Sequence, residues 1–108
     1  MPWVVETLND TVDDELAALP VDLRARFIRI AELIEAVGLP SVGEPHVKHL
    51  SGSLWEIRLK GKSGIARALY VTVQPKRVVV LRAFVKKSQK VPPRELRLAR
   101  ERARELKE

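Results

Sequence analysis

Leu54 to Lys60 alternates strictly, with Trp55, Ile57 and Leu59 on one side and Glu56, Arg58 and Lys60 on the other. That is the period of a strand with one covered face. Gly61-Lys62-Ser63-Gly64 supplies a hairpin turn, and Ile65 to Val73 continues as a second strand. Gln74-Pro75-Lys76 turns the chain again into Arg77 to Val85. Its centre, Val78 to Leu81, is the most apolar and β-branched run in the protein and predicts an inner strand. Two consecutive hairpins predict an antiparallel meander. Upstream the period changes. Leu23, Phe27, Ile30, Ile34 and Val37 recur at steps of four and three, the stripe of a helix over 21–37 that Gly38 and Pro40 terminate. A shorter helix over Val12 to Leu19 precedes it, signalled by Thr11 and Asp14 and separated by Pro20. Trp3 to Thr7 reads as a short first strand, and residues 39–53 as loop. A last helix over 93–107 carries Leu96, Ala99, Ala103 and Leu106 on one stripe, with Arg97, Arg100, Arg104 and Lys107 offset by one residue. The expected fold is α+β in one domain, residues 1–108. An N-terminal strand and helical hairpin pack on an antiparallel meander, followed by a C-terminal helix.

Charge sharpens this picture. Residues 1–45 hold three basic and nine acidic side chains, whereas residues 46–108 hold seventeen basic and five acidic ones. An acidic front and a strongly basic back point to a polyanionic partner for the back. There are no cysteines, which excludes disulfides and thiolate chemistry and suits a reducing cytoplasm. No basic start followed by an apolar run marks a signal peptide, and no apolar stretch is long enough to span a membrane. The expected setting is therefore cytoplasmic.

The chain has no Gly-rich phosphate loop, no zinc-protease motif and no nucleophile elbow. His46 and His49 read as two loop histidines with no cysteine to complete a ligand set, so no metal and no other cofactor is expected. The basic residues carry more meaning. Arg58 and Lys60 project from one strand face. Arg67 lies on the next strand with the parity of Leu69, Val71 and Val73, which leaves its face undecided. Lys86, Lys87 and Lys90 leave the inner strand at its end, before Pro92-Pro93 starts the last helix. Together they fit a phosphodiester on the sheet face that the helices leave open. Metal-free RNA cleavage needs cations for the phosphorane, a base for the 2′-OH and an acid for the 5′ oxygen. Arginine serves the first need but cannot release a proton, so the lysines, a histidine or Glu56 must transfer protons. Trp55 and Phe84 are read as core, and Tyr70 as either core or site.

The ordered set Leu54-Trp55-Glu56-Ile57-Arg58, Arg67 with Tyr70, Phe84-Val85-Lys86-Lys87, Gln89-Lys90 and Pro92 resembles the RelE/ParE toxin superfamily, in its HigB-like, phage-derived branch. The helices match in order and length. The resemblance implies the toxin of a type II toxin–antitoxin pair. Its activity would be metal-independent, ribosome-dependent endoribonuclease cleavage of mRNA, and its partners a cognate antitoxin, the ribosome and mRNA. It implies Arg58, Arg67, Lys86 and Lys87 as catalytic positions. Lys60, Lys90, His49 and Arg97 complete the expected RNA-binding set. Several RelE-like toxins carry a tyrosine just after the basic pair, where this chain has Ser88-Gln89-Lys90-Val91. The alternatives are a ParE-like, non-enzymatic inhibitor of DNA gyrase and a plain basic nucleic-acid-binding module.

Overall fold

The computed structural model describes residues 2–88 and 90–106. Its elements are β1 (Val4–Thr7), α1 (Asp10–Ala17), α2 (Val21–Val37), a 3₁₀ turn (Leu39–Ser41), β2 (Val47–Ser51), β3 (Leu54–Gly61), β4 (Gly64–Val73), β5 (Arg77–Lys86) and α3 (Pro93–Ala103). The five strands form one sheet in the order β1-β5-β4-β3-β2. β1 runs parallel to β5 and every other pairing is antiparallel, so the expected meander sits inside a mixed sheet. β5 is the inner strand that its composition predicts.

Several boundaries differ from the sequence reading. α1 begins two residues earlier because Asn9, not Thr11, caps it: the Asn9 Oδ1 accepts from the Val12 N–H at 3.1 Å. Residues 47–51, read as loop, form edge strand β2. A strand that buries little beyond Val47 carries too weak an apolar pattern to announce itself. α3 ends at Ala103, and Lys107 of the expected basic stripe lies outside the described residues. On α2, Leu23, Phe27, Ile30 and Ile34 are buried, but Val37 is exposed at the helix end.

Two apolar cores sandwich the sheet. On one face α1 and α2 place Val12, Leu16, Leu23, Phe27, Ile30 and Ile34 over Ile57, Leu59, Ala66, Ala68, Tyr70, Val78 and Val80. On the other, Ala99 and Leu96 of α3 cover Leu54, Leu69, Val71, Val79, Leu81 and Phe84. The second face is therefore half covered. Arg67, with the parity of Leu69 and Val71, belongs to that face.

An irregularity in β5 decides what the uncovered half displays. Leu69 pairs with Arg82 and Tyr70 with Val80, which leaves Leu81 as an extra residue. A bulge of this kind inverts side-chain parity beyond it. Upstream, Val79 and Leu81 pack under α3; downstream, Ala83 joins the opposite core and Phe84 stays with the α3 core. Lys86, two residues on from Phe84, consequently shares the face of Arg58 and Arg67. Charged side chains tie the layers together at the bulge. Arg82 contacts Glu15 of α1 at 3.0 Å and Glu95 of α3 at 2.6 Å. Arg102 of α3 contacts Glu15 at 2.8 Å and donates to the Leu81 carbonyl at 2.8 Å.

Candidate functional site

The uncovered half-face is built from four adjacent strands. Arg58 of β3 pairs with Arg67 of β4, and Arg67 pairs with Phe84 of β5. One row further out lie Lys60, Ile65 and Lys86; one row inward, Lys48 of β2 pairs with Glu56 of β3. Lys48, Arg58, Arg67 and Lys86 thus share the neighbourhood of one carboxylate, Glu56, with Lys60 further out on β3.

At the centre Arg67 and Glu56 are each only 4% exposed, and the Arg67 Nε lies 2.9 Å from Glu56 Oε1. Neither atom gains a hydrogen bond of good geometry, so the contact is an ion pair without directional alignment. The guanidinium is further held by donation from Nη1 to the Ala66 carbonyl at 2.9 Å. Burial lowers the pKa of Arg67; Glu56 opposes the shift and Arg58 adds to it. Arg67 nevertheless stays charged near neutral pH, because an arginine starts from so high a value.

Lys86 is 8% exposed. Burial pushes its ammonium below the ordinary lysine value. The charges of Arg67, Arg58 and Lys48 push the same way, against Glu56. A lysine in such company gives up its proton more readily than a solvated one. Lys86 and Lys87, equivalent in sequence, have separate fates here: Lys87 is exposed beyond the last paired residue of β5. Lys90 is exposed in the following loop, where its carbonyl accepts from Ser88 Oγ at 3.1 Å. Arg97 is exposed on α3.

The histidines exchange roles relative to expectation. His49 does not join the cationic set. It pairs with Trp55, stacks edge-on against that ring at 4.9 Å between centroids, and contacts the Gly52 carbonyl through Nε2 at 2.8 Å. His46 does join it, lining a groove of about 590 Å³ with Arg26, Arg58, Lys60 and Arg67. Lys48 and His46 were missed as site residues because the strand that carries Lys48 went unread. Val47-Lys48-His49-Leu50 does not alternate, so the sequence offered no period-two signal there.

Of the aromatic residues, Tyr70 is core, with its phenol pushed up by burial. Trp55, expected in the core, is 38% exposed, since the helical layer does not extend over the β2–β3 edge there. Phe84 is buried between the half-faces, 5.7 Å from the Arg82 guanidinium. Among the described residues no three His, Asp or Glu side chains gather to hold a metal ion, and no helix is long and apolar enough to cross a membrane.

Solved structures share this architecture. The E. coli toxin RelE, as a mutant in the free state, superposes with a TM-score of 0.65 at 16% identity, over 94% of this chain and 98% of that one. A chain of the archaeal RelE–RelB complex from Pyrococcus horikoshii OT3 gives 0.55 at 24% identity, over 79% of this chain and 96% of that one. The fold is that of the RelE toxins. Residues 14–104 match the family described as "Phage derived protein Gp49-like", and the chain belongs to that family. No curated protein matches it significantly in sequence.

Proposed function

We propose that this protein is the toxin of a type II toxin–antitoxin pair and cleaves mRNA on the ribosome without a metal ion. The observation that carries this reading is the uncovered half-face, where Lys48, Arg58, Arg67 and Lys86 gather near Glu56. Solvated surface charge does not require an arginine 96% buried against one carboxylate, and burying such a pair is costly unless the pair serves something. In the proposed reaction Arg58 and Arg67 bind the scissile phosphate and stabilise the charge that grows on the phosphorane. Glu56 takes the proton of the 2′-OH as that oxygen attacks phosphorus. Lys86, with its lowered pKa, returns a proton to the departing 5′ oxygen. The products are a 2′,3′-cyclic phosphate and a 5′-hydroxyl end. Lys60 and the exposed Lys87, Lys90 and Arg97 add long-range attraction for the polyanion. The archaeal RelE solved with RelB supports an antitoxin as the protein partner. Action on ribosomes implies a cytoplasmic site.

Controlled induction in bacteria, followed by primer extension on abundant transcripts, tests this. Growth arrest with cuts inside translated codons is expected. Arg58→Ala combined with Lys86→Ala should abolish both, while circular dichroism shows an intact fold. A double variant that stays fully toxic removes the site assignment. Arrest with intact transcripts and a DNA-damage response favours gyrase inhibition instead.

A further inference from the structure

The groove that Arg58 and Arg67 line does not end on the sheet face. β2 stops short of β3: the last bond across that edge is donated by the Arg58 N–H to the His46 carbonyl at 2.8 Å, and β3 continues to Gly61. Beside the overhang the groove passes around the β3 edge, with Pro45 and His46 on one wall and Leu59, Lys60 and Ile65 on another. Its far wall is Arg26 of α2. Arg26 is one of only three cations in the acidic first 45 residues, so nothing in the sequence connects it to the basic half.

Its position is fixed by packing one turn earlier. The Asp22 carboxylate accepts from the Ser63 N–H at 2.9 Å, which pins the β3–β4 turn to the start of α2. Gly61 is the close-approach point, because a Cβ there would collide with that carboxylate. Asp22 is the acidic side chain spaced to pair with Arg26 along the helix, and its carboxylate is committed to the turn. Arg26 is exposed and faces the same cleft as Lys60 and Arg58.

We infer that Arg26 and Lys60 form a second phosphate subsite, which binds the backbone of single-stranded RNA as it leaves the Arg58–Arg67 centre around the β3 edge. This inference rests on the nuclease reading and adds the direction of the strand: across the edge towards α2, not along α3. A cationic groove that tracks a backbone gains affinity with each phosphate it neutralises.

The test uses the whole protein and RNA oligonucleotides of two and six residues, 2′-O-methylated so that they cannot be cut, titrated at several salt concentrations. Arg26→Ala should weaken hexanucleotide binding about tenfold at low salt and leave the dinucleotide unaffected. The slope of log K against log salt should fall in magnitude by about 0.7, the value for one phosphate contact on a single strand. Arg26→Lys should keep the slope, showing that charge and not helix packing is read out. If Arg26→Ala binds both lengths like the parent while Arg58→Ala loses both, the subsite is wrong and the catalytic centre stands. If Arg58→Ala binds both lengths like the parent, the nuclease reading fails and takes the subsite with it.

Discussion

At the scale of single residues the most informative pair is Glu56 and Arg67. Both are almost fully buried, 2.9 Å apart, and poorly aligned for hydrogen bonding. Removing one partner strands the other charge in a dry place. Arg67→Ala should therefore destabilise the protein by about 3 kcal/mol. Replacing both with apolar residues of similar size, Glu56→Leu with Arg67→Met, should recover most of that loss while activity stays absent. Urea denaturation of the two variants measures this. Equal destabilisation of both would show that the pair is there for stability, not for chemistry.

At the scale of elements the decisive joint is the β5 bulge and the charges around it. Glu15 accepts from the Ala83 N–H at 3.2 Å and from Arg102 at 2.9 Å, and it faces Arg82. Burial alone would raise its carboxyl pKa. The hydrogen bonds from Arg102 and Ala83, with the charges of Arg82 and Arg102, outweigh burial and hold it below the ordinary 4.5. A carboxylate with a lowered folded pKa contributes stability that is complete above the unfolded value and is lost as pH falls through the folded one. Glu15→Gln should thus cost about 2 kcal/mol near neutral pH. The gap from the parent should narrow below pH 4.5, which thermal melts across the acid range would show. A pH-independent difference would mean that Glu15 acts by packing alone.

At the scale of the whole molecule, four strands converge to set the state of one lysine. Lys86 of β5 is depressed by burial and by Arg67, Arg58 and Lys48 from three other strands. If Lys86 donates the proton, the rate falls as pH rises through its pKa, and that basic limb lies below the ordinary lysine value. Lys48→Ala removes one repelling charge, so the limb should move to higher pH. An unmoved limb in single-turnover cleavage on programmed ribosomes would exclude Lys86 as the proton donor.

Much of this protein was legible one residue at a time. Local alternation, the four-and-three stripe of α2 and the turn residues define most of the elements, because each depends on neighbours within one or two turns. The segregation of charge likewise needs only the order of residues, and it pointed to a polyanion. What the sequence left open is which cations share a surface. Strand parity carries that information only while the count of two is unbroken, and the extra Leu81 inverts it. That single residue brings Lys86, and not Lys87, to the cationic face. The β2–β3 hairpin, which no alternation in residues 47–51 announces, adds Lys48 and His46 and sends His49 to the other side. The packing of α2 against the β3–β4 turn sets Arg26 beside the same groove. The chain determined its elements and its charge by local chemistry. Only tertiary structure decided the site, because a site is made of residues whose closeness no local pattern encodes.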